Sequence, residues 1–357
     1  MRKTIYGILA LILCCACLAG SLSAAAAEGY QFEKQDGDWR ISWDLAEPEG
    51  FGSQVSVYRY KQEKKDEKQI RKQMAEVFGN PVLSAKPDRK AHLCPGDHMK
   101  YEVRGFISSP AAPSAAEQAA IGLFGQKLSE AGYPCGQPYV CVTAETLRRE
   151  MNEEFTGGLM DWDSYARMIR CESYDYEVYP EDILAVFVPE IGGIPVVPEL
   201  IGNTGEFDVP MFALALVHGD TVSYMEYGGY PRITKEQPVK TEPVGWKAAV
   251  DSVLEYSYGK FWKAMFSFPA EEFLDIGLNY PWFFETYRPA YDLRTERVAA
   301  CYYAWKGELR PAWQVCMTVR VNLENDEGLT PAERHRYMPE TIRMDWLVDA
   351  VTGEIIG

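Results

Sequence analysis

Apolar and polar residues alternate in several stretches of the chain, and this period of two is typical of half-buried β-strands. The stretch "YQFEKQDGDWRISWDL" alternates on both sides of Asp36-Gly37, which predicts two strands joined by a tight turn. The stretch "MDWLVDAVTGEII" alternates up to Thr352-Gly353, where glycine can adopt the positive φ that such a turn needs. We therefore predict a hairpin at both places, and a single buried face for the first strand of the second hairpin.

Other stretches repeat apolar residues every three or four positions, which predicts amphipathic helices. One helix lies within "KKDEKQIRKQMAEVF", and another within "SAAEQAAIGLFGQKLSEAGY", with Ser114 as its N-cap and Gly132 at its end. Thr143 is the predicted cap of a third helix, and "VGWKAAVDSVLEYS" carries the apolar stripe of a fourth.

The order of these elements predicts an α+β fold class. A helix followed by antiparallel strands occurs in residues 143–240 and again in residues 241–357, so we predict two related units in the C-terminal two thirds, each with a helix packed on an antiparallel sheet. Residues 28–142 are predicted to form an N-terminal α+β region of uncertain fold. The two units share no obvious sequence identity, so the predicted repeat is one of architecture.

The first segment of the chain, residues 1–27, has the features of a signal peptide. A basic start, "MRK", precedes the apolar run "IYGILALILCCACLA", which is shorter than a typical membrane span, and the small residues of "SLSAAAAEG" suit cleavage before Glu28. Lipid attachment at Cys17 is the alternative, although Cys14 stands where lipoprotein signals usually have Leu. Both routes predict an extracytoplasmic protein, either secreted or anchored to the outer face of the membrane.

The composition predicts a folded and strongly acidic protein. Apolar residues make up 47 % of the chain and aromatic residues 13 %, which is enough to fill a core. Cleavage before Glu28 removes Arg2 and Lys3 but no acid, so the formal charge changes from −16 to −18. Because such a charge repels nucleic-acid phosphates, we predict no nucleic-acid partner.

Six cysteines remain after the signal peptide, and an even number in an exported chain favours disulfides. If "VAACYYAWKGELRPAWQVCMTV" is a symmetric hairpin centred just after Glu308, Cys301 lies directly opposite Cys316, at a separation that suits a bridge. A second, short-loop bridge is predicted between Cys135 and Cys141.

Three short motifs resemble those of known extracytoplasmic families. The stretch "WLVDAVTGEII" resembles the closing hairpin of PepSY-type domains, and "ELRPAWQV" is similar to a strand with a Pro-x-Trp in YycH- and YycI-like regulatory proteins and related Firmicutes lipoproteins. The stretch "VPEIGGIPV" is similar to a turn of the same proteins, with Gly192 in place of their Asp or Asn. The resemblance covers about residues 143–357. It implies a fold and a compartment but no catalytic residue and no cofactor, because these families are regulators and accessory proteins.

No sequence motif points to catalysis, since His-Glu-x-x-His, Gly-x-Ser-x-Gly and Walker patterns are all missing from the chain. The stretch "HLCPGDH" is the best candidate for a metal site, because His92, Cys94, Asp97 and His98 are zinc or copper ligands at close spacing. We favour a turn at Pro95-Gly96 instead, and hence predict no bound metal.

Two other chemistries require residues that the sequence cannot show to be close together. One is a nucleophilic cysteine beside a histidine, and the other is a pair of carboxylates for glycoside hydrolysis. The candidates are Cys94 or Cys171 with His218 or His335, and the pairs Asp161 with Asp163 and Glu271 with Glu272.

The tryptophans offer a further possibility, since exposed aromatic side chains can stack on sugars or contact a protein partner. Trp39, Trp43, Trp162 and Trp282 flank charged or turn residues, although burial in the core is the favoured interpretation. The sequence therefore predicts an exported, non-catalytic binding or regulatory protein of the bacterial cell envelope, whose partner is a protein or the cell wall. The alternatives are a secreted hydrolase without a recognisable motif and an aromatic-rich glycan-binding module.

Overall fold

The computed structural model describes residues 29–51, 55–63, 66–84, 110–151, 177–197, 212–262, 286–323, 329–330 and 341–356. Over these ranges the protein combines antiparallel sheets with few helices. This architecture confirms the coarse prediction made from the hydrophobic pattern.

The described strands are, in chain order, β1 (Tyr30–Asp36), β2 (Trp39–Leu45), β3 (Ser56–Glu63), β4 (Val82–Ser84), β5 (Val140–Thr143), β6 (Ile183–Phe187), β7 (Glu190–Ile191), β8 (Ile194–Pro195), β9 (Ala213–His218), β10 (Thr221–Tyr227), β11 (Tyr230–Pro238), β12 (Pro289–Trp305), β13 (Glu308–Leu323), β14 (Thr341–Asp349) and β15 (Ile355–Ile356). The described helices are α1 (Glu67–Phe78), α2 (Ala115–Glu130), α3 (Ala144–Met151) and α4 (Trp246–Tyr256), and a π-helix (Ser257–Trp262) continues α4.

The larger sheet has the strand order β1-β2-β12-β13-β14-β15, and β3, paired with β11, joins it beside β13. Its neighbours are antiparallel except β2 and β12, which run parallel. Helix α4 packs on one face of this sheet through Ala249, Val250 and Val253. These residues belong to the apolar stripe predicted from the sequence, so the position of this helix follows from its periodicity.

The smaller sheet has the order β4-β10-β9-β6-β5. Its central strands are apolar on both faces, as strands covered on both sides must be. Helices α1 and α2 cover one face with Ile70, Met74 and Phe124, and Leu147 of α3 packs on the other. The larger sheet contains strands from residues 28–142, 143–240 and 241–357, whereas the described strands of the smaller sheet all lie before residue 241.

The predicted helix caps are present in the structure. The side chain of Ser114 accepts a hydrogen bond from the backbone of Glu117, and the Glu117 carboxylate accepts one in return from the backbone of Ser114. Thr143 likewise accepts a hydrogen bond from the backbone N–H of Thr146 at 3.0 Å. Both helix starts are therefore encoded locally by the sequence.

The stretch "VPEIGGIPV" forms a small hairpin that joins the two sheets. Gly192 and Gly193 both have positive φ, 60° and 83°, as the predicted turn between β7 and β8 requires. Beyond the turn, the backbone N–H of Val197 donates to the carbonyl of Tyr302 in β12 at 2.8 Å, and the side chains of Val196 and Val197 are buried. This hairpin therefore anchors the chain of the smaller sheet to the larger one.

The predicted terminal hairpin is also present, with Leu347 opposite Ile356 and Val348 opposite Ile355. The prediction of a single buried face is wrong for the end of β14. Trp346 and Val348 pack beneath α4, while Leu347 packs on the opposite face beside Val197. Segments from the smaller-sheet part of the chain cover this second face, which no local pattern could reveal.

The "ELRPAWQV" stretch lies in β13. Along this stretch, the same side of β13 pairs first with β3 and then with β14. Strand β3 pairs with Glu308 and Leu309, and β14 pairs from Ala312 onward. Because proline has no backbone N–H to donate, Pro311 is tolerated at this change of partner. Trp313 faces the core beneath α4.

The β12–β13 hairpin corrects the predicted disulfide between Cys301 and Cys316. Lys306 and Gly307, both with positive φ, form a two-residue turn, so the hairpin is centred between them rather than after Glu308. Cys301 therefore lies opposite Ala312, and Cys316 opposite Arg297. Both thiols are free.

The predicted bridge between Cys135 and Cys141 is not formed either, and both residues are free thiols in the structure. Cys135 follows α2, with its sulfur 3.9 Å from the hydroxyl of Ser129. Cys141 lies in β5, paired with Ala185. The two cysteines are close in sequence but are directed to different neighbours.

Candidate functional site

The side chains of β2 point alternately to the two faces of the larger sheet. Trp39, Ile41 and Trp43 point into the core beneath α4, whereas Arg40 and Ser42 point to the opposite face. Trp39 and Trp43 are 7 % and 5 % exposed, which confirms the core interpretation and removes both from a sugar-stacking role. At β1, β2 and the neighbouring part of β12, the opposite face of the sheet is polar and open to a ligand.

An open groove of about 590 Å³ lies on this polar face across β1, β2 and β12. We call it the charged groove. The lining residues whose side chains point to this face are Gln31, Glu33, Arg40, Ser42, Asp44, Arg294 and Glu296. All but Gln31 and Ser42 are ionisable, so the groove suits a charged or strongly polar ligand.

A β-bulge in β12 helps to build the groove. The register between β12 and β13 shifts between Thr295 and Arg297, which leaves Glu296 as the extra residue. The Glu296 carboxylate accepts a hydrogen bond of 2.7 Å from the hydroxyl of Thr318 and lines the groove. Bulges commonly redirect a side chain in this way beside functional sites.

Two ion pairs hold the arginines of the groove in place. Arg40 donates from Nε to Glu33 at 3.0 Å, and its Nη2 lies 3.0 Å from the same carboxylate oxygen. Arg294 donates from Nε and Nη2 to Asp292 at 2.9 and 2.6 Å, and this hydrogen bonding raises the pKa of its guanidinium. The guanidinium groups are thereby oriented before any ligand arrives.

The remaining carboxylates of the groove have no cationic partner among the described residues. Asp44 accepts a hydrogen bond of 3.0 Å from the amide of Gln31, and Glu296 accepts its bond from Thr318. These bonds are made with neutral donors, and neither carboxylate forms an ion pair with a described lysine or arginine. This part of the groove is therefore suited to a positive group.

A second constellation lies in the smaller sheet, where His218 ends β9. Its Nδ1 lies 2.6 Å from Oδ1 of Asp182, whose other oxygen accepts the backbone N–H of Tyr179 at 2.8 Å. The Tyr179 ring packs on the imidazole at 4.8 Å between centroids. A buried carboxylate that orients an exposed imidazole is typical of a general base, but no hydroxyl or thiol of a described residue hydrogen-bonds to the other ring nitrogen.

This pair predicts a pH dependence of stability. The hydrogen bond to Asp182 raises the pKa of His218 above its ordinary 6.5, against the lowering effect of burial. A raised folded-state pKa contributes stability below pH 6.5, and this contribution is lost as the pH rises through the raised value. In His218→Gln, which can keep the bond but does not titrate, we expect a smaller fall in the free energy of unfolding from about pH 6 to 8. Urea unfolding at several pH values in this range measures the free energy of unfolding of both proteins. An equal fall in both would contradict the contribution assigned to His218.

The described cysteines are poor nucleophiles. Burial raises the pKa of the Cys135 thiol to about 11 and raises those of Cys141, Cys301 and Cys316 above the ordinary 9.0. Thiols with raised pKa values carry little thiolate at neutral pH. The described cysteines therefore do not supply the nucleophile of the cysteine–histidine hypothesis.

Many of the candidates from the sequence lie outside the described residues, and the structure does not bear on them. They are Cys17, His92, Cys94, Asp97, His98, Asp161, Trp162, Asp163, Cys171, Glu271, Glu272, Trp282 and His335. Within the described ranges, no three His, Cys, Asp or Glu side chains are arranged to hold a metal ion. None of the described helices combines the length and the apolar character that a membrane span requires.

Sequence reasoning named His218 as a candidate but missed Asp182 and the charged groove. The polar positions of the groove are visible as the alternating charges of "YQFEKQD" and "WRISWDL", but these stretches predicted only two strands joined by a turn. Asp182 had no local signal, because its partner His218 is 36 residues away.

Comparisons with known proteins do not assign a family. Neither a family model nor a curated protein matches the chain. Among solved structures, an uncharacterized protein from Eubacterium rectale is similar to this chain, with a TM-score of 0.47 and 10 % identity over 92 % of this chain and 93 % of that one. At this score and identity the similarity assigns no function.

Proposed function

We propose that this protein is an exported, non-catalytic binding or regulatory protein of the bacterial cell envelope, and that the charged groove receives its partner, a protein or a cell-wall component. The signal-peptide features of residues 1–27 support export, with secretion and a lipid anchor at Cys17 as the two forms.

The observation that carries this proposal is the groove itself. It is open, it lies on a sheet face, and its arginines are held by ion pairs with Glu33 and Asp292. Preorganised charged groups reduce the ordering that binding requires, and they favour a specific partner over non-specific contact.

The PepSY- and YycI-like character of the C-terminal units is part of the same proposal. The turn after Asp349 supports it, since the "DAVTGE" stretch has a clear physical role: the Asp349 carboxylate accepts hydrogen bonds from the backbone N–H groups of Val351 and Thr352 at 2.8 and 2.9 Å. Such a role is structural, as expected for units of regulatory rather than catalytic proteins.

A secreted hydrolase remains the second candidate, because the Asp182–His218 pair has the geometry of an oriented general base. An aromatic glycan-binding module is less favoured, because Trp39 and Trp43 are buried.

Site-specific photocrosslinking in the producing bacterium tests the proposal. A photoreactive residue at Ser42, in the groove, should form a defined adduct with an envelope protein or a cell-wall fragment. The variant Arg294→Lys, which keeps the charge but not the planar guanidinium, should weaken this adduct several-fold. The matched control is a photoreactive residue at Lys72, whose side chain is 78 % exposed on α1. Equal adducts from both positions, or a groove adduct that is unaffected by Arg294→Lys, would contradict the proposal.

A further inference from the structure

The charges of the groove are ordered along the strands. Strands β2 and β12 run parallel, with Asp292 beside Arg40 and Arg294 beside Ser42. Asp44 and Glu296 each follow two residues later on their strands, Glu296 as the extra residue of the bulge, and both line the groove one step further along. Two residues of a strand correspond to about 7 Å. The Cα atoms of Arg294 and Glu296 are therefore at most about 7 Å apart along the groove floor.

The guanidinium of Arg294 has a second edge available for a ligand. Its Nε and one N–H of Nη2 point to Asp292, with bonds of 2.9 and 2.6 Å. A guanidinium has five N–H groups, so the edge formed by Nη1 and Nη2 remains, and this geometry matches a carboxylate. The side chain of Arg294 is 46 % exposed and lines the groove. Arg40 is held by Glu33 in the same manner and flanks the same end.

Asp44 and Glu296 lie one step further along the groove. Each uses one carboxylate oxygen to accept a hydrogen bond, from Gln31 and Thr318 respectively, and its other oxygen takes no part in that bond. No described lysine or arginine forms an ion pair with either of them. Two carboxylates on adjacent strands that form no such ion pair attract a cation, and an ammonium group can donate to both.

We infer that the charged groove binds a free, dipeptide-length zwitterion that lies along the strands, with its terminal carboxylate on Arg294 and its terminal ammonium between Asp44 and Glu296. Two residues of extended peptide span about 7 Å, the largest separation of the Cα atoms of Arg294 and Glu296 along the groove. This ligand class deepens the proposed binding function and rests on it. The same charges could be offered by lysine and glutamate side chains of a protein segment, and the test separates the two sources.

The probes are Ala-Ala, its N-acetyl and C-amide derivatives, and glycine, with binding to the mature protein followed by NMR or calorimetry. Ala-Ala should bind saturably, and removing either terminal charge should weaken binding at least about tenfold, because each cap removes one charge-assisted contact. Glycine carries both charges but is too short to reach both Arg294 and the two carboxylates, so it should bind as weakly as the capped forms. Comparable affinities for Ala-Ala and its capped forms would overturn the inference.

Two variants assign each end of the ligand. Glu296→Gln keeps an acceptor for Thr318 and should weaken Ala-Ala severalfold while leaving N-acetyl-Ala-Ala unchanged. Arg294→Lys keeps a positive charge beside the buried Asp292 and should weaken Ala-Ala but not its C-amide. The matched control is Glu76→Gln on α1, where the glutamate side chain is 62 % exposed and pairs only with Lys72 among the described residues. Unfolding midpoints close to that of the unaltered protein show that the variants are folded.

Other outcomes separate this inference from the proposed function. If Ala-Ala fails to bind while photocrosslinking at Ser42 succeeds, the groove has another ligand and only the inference is wrong. If a doubly capped peptide with internal lysine and glutamate binds better than Ala-Ala, the ligand is a protein segment, and the free-dipeptide assignment is wrong. Calcium binding that Glu296→Gln abolishes, without any Ala-Ala binding, would identify a metal site instead.

Discussion

Replacing Asp349 with alanine should lower the free energy of unfolding by about 3–5 kcal/mol, because it leaves the largely buried guanidinium of Arg310 without its nearer carboxylate and with only Glu308 at 3.5 Å. Asp349 is 2 % exposed, and its carboxylate accepts hydrogen bonds from Nε of Arg310 at 2.6 Å and from the hydroxyl of Tyr303 at 2.8 Å. The same carboxylate also holds the turn of the terminal hairpin through the backbone of Val351 and Thr352. Urea unfolding of the two proteins measures the difference.

Two variants make this prediction specific. Asp349→Asn keeps an oxygen for the turn but loses the charge, so its cost should fall between those of the alanine variant and the unaltered protein. Glu76→Ala removes an exposed carboxylate from α1 and should change the free energy by less than about 0.5 kcal/mol. A cost below about 1 kcal/mol for Asp349→Ala would show that the cluster around this carboxylate does not stabilise the sheet.

The Asp349 cluster also predicts sensitivity to acid. Burial alone would raise the pKa of Asp349, but the hydrogen bonds from Arg310, the backbone of Thr352, Tyr303 and the backbone of Val351 outweigh it and lower the pKa below the ordinary 3.8. A lowered folded-state pKa contributes stability above pH 3.8, which is lost as the pH falls through the folded value. The difference in stability between the protein and Asp349→Asn should therefore shrink as the pH falls below about 4.

Replacing Trp313 with alanine should cost about 3–5 kcal/mol, the usual range for removing a buried aromatic side chain. Trp313 is 5 % exposed, its ring contacts that of Phe51 edge to face at 5.1 Å, and its Nε1 donates to the carbonyl of Val244 at 2.7 Å. The indole therefore joins β13 to the segment before α4 and to the chain after β2. Loss of these contacts should also speed hydrogen exchange of the backbone around Val244.

Trp305 provides the matched control for Trp313. It ends β12 at the tip of the same hairpin, is only partly buried, and contacts the ammonium of Lys306 at 5.2 Å from its ring centroid. Trp305→Ala should cost at most about 1 kcal/mol. Trp313→Phe should cost less than Trp313→Ala, since it keeps an aromatic ring but loses the bond to Val244. Similar costs at Trp305 and Trp313 would contradict the role assigned to Trp313.

Local features of the fold could be predicted because neighbouring residues encode them. The turn after Asp36, the cap at Ser114, the stripe of α4 and the terminal hairpin each depend on contacts within about 20 residues. Burial of Trp39 and Trp43, the interpretation favoured from the sequence, is what the structure shows, and it fits the alternation that directs one face of β2 inward.

The hairpin of β12 and β13 shows where local reasoning stops. Its tip at Lys306-Gly307 is evident from the sequence, but the register depends on whether the turn has two residues or more. The bulge at Glu296 then shifts the pairing of β12 with β13 at the end far from the turn. An error in the position of the turn changes the partner of every residue in the hairpin. The predicted bridge between Cys301 and Cys316 was therefore wrong, although the hairpin itself was correct.

By itself, the sequence determined the periodicities, the turns and caps, the acidic character and the export features of residues 1–27. Only the tertiary structure decided which strands became neighbours. The charged groove exists because β12 lies parallel to β2, which brings Arg294 beside Ser42 across about 250 residues of chain. The same holds for the Asp182–His218 pair and for the end of β14, which is buried on both faces. Each depends on segments that meet only after the sheets have assembled. Sequence periodicity reports which face of an element is buried, but it carries no information about what covers that face or what lies beside it.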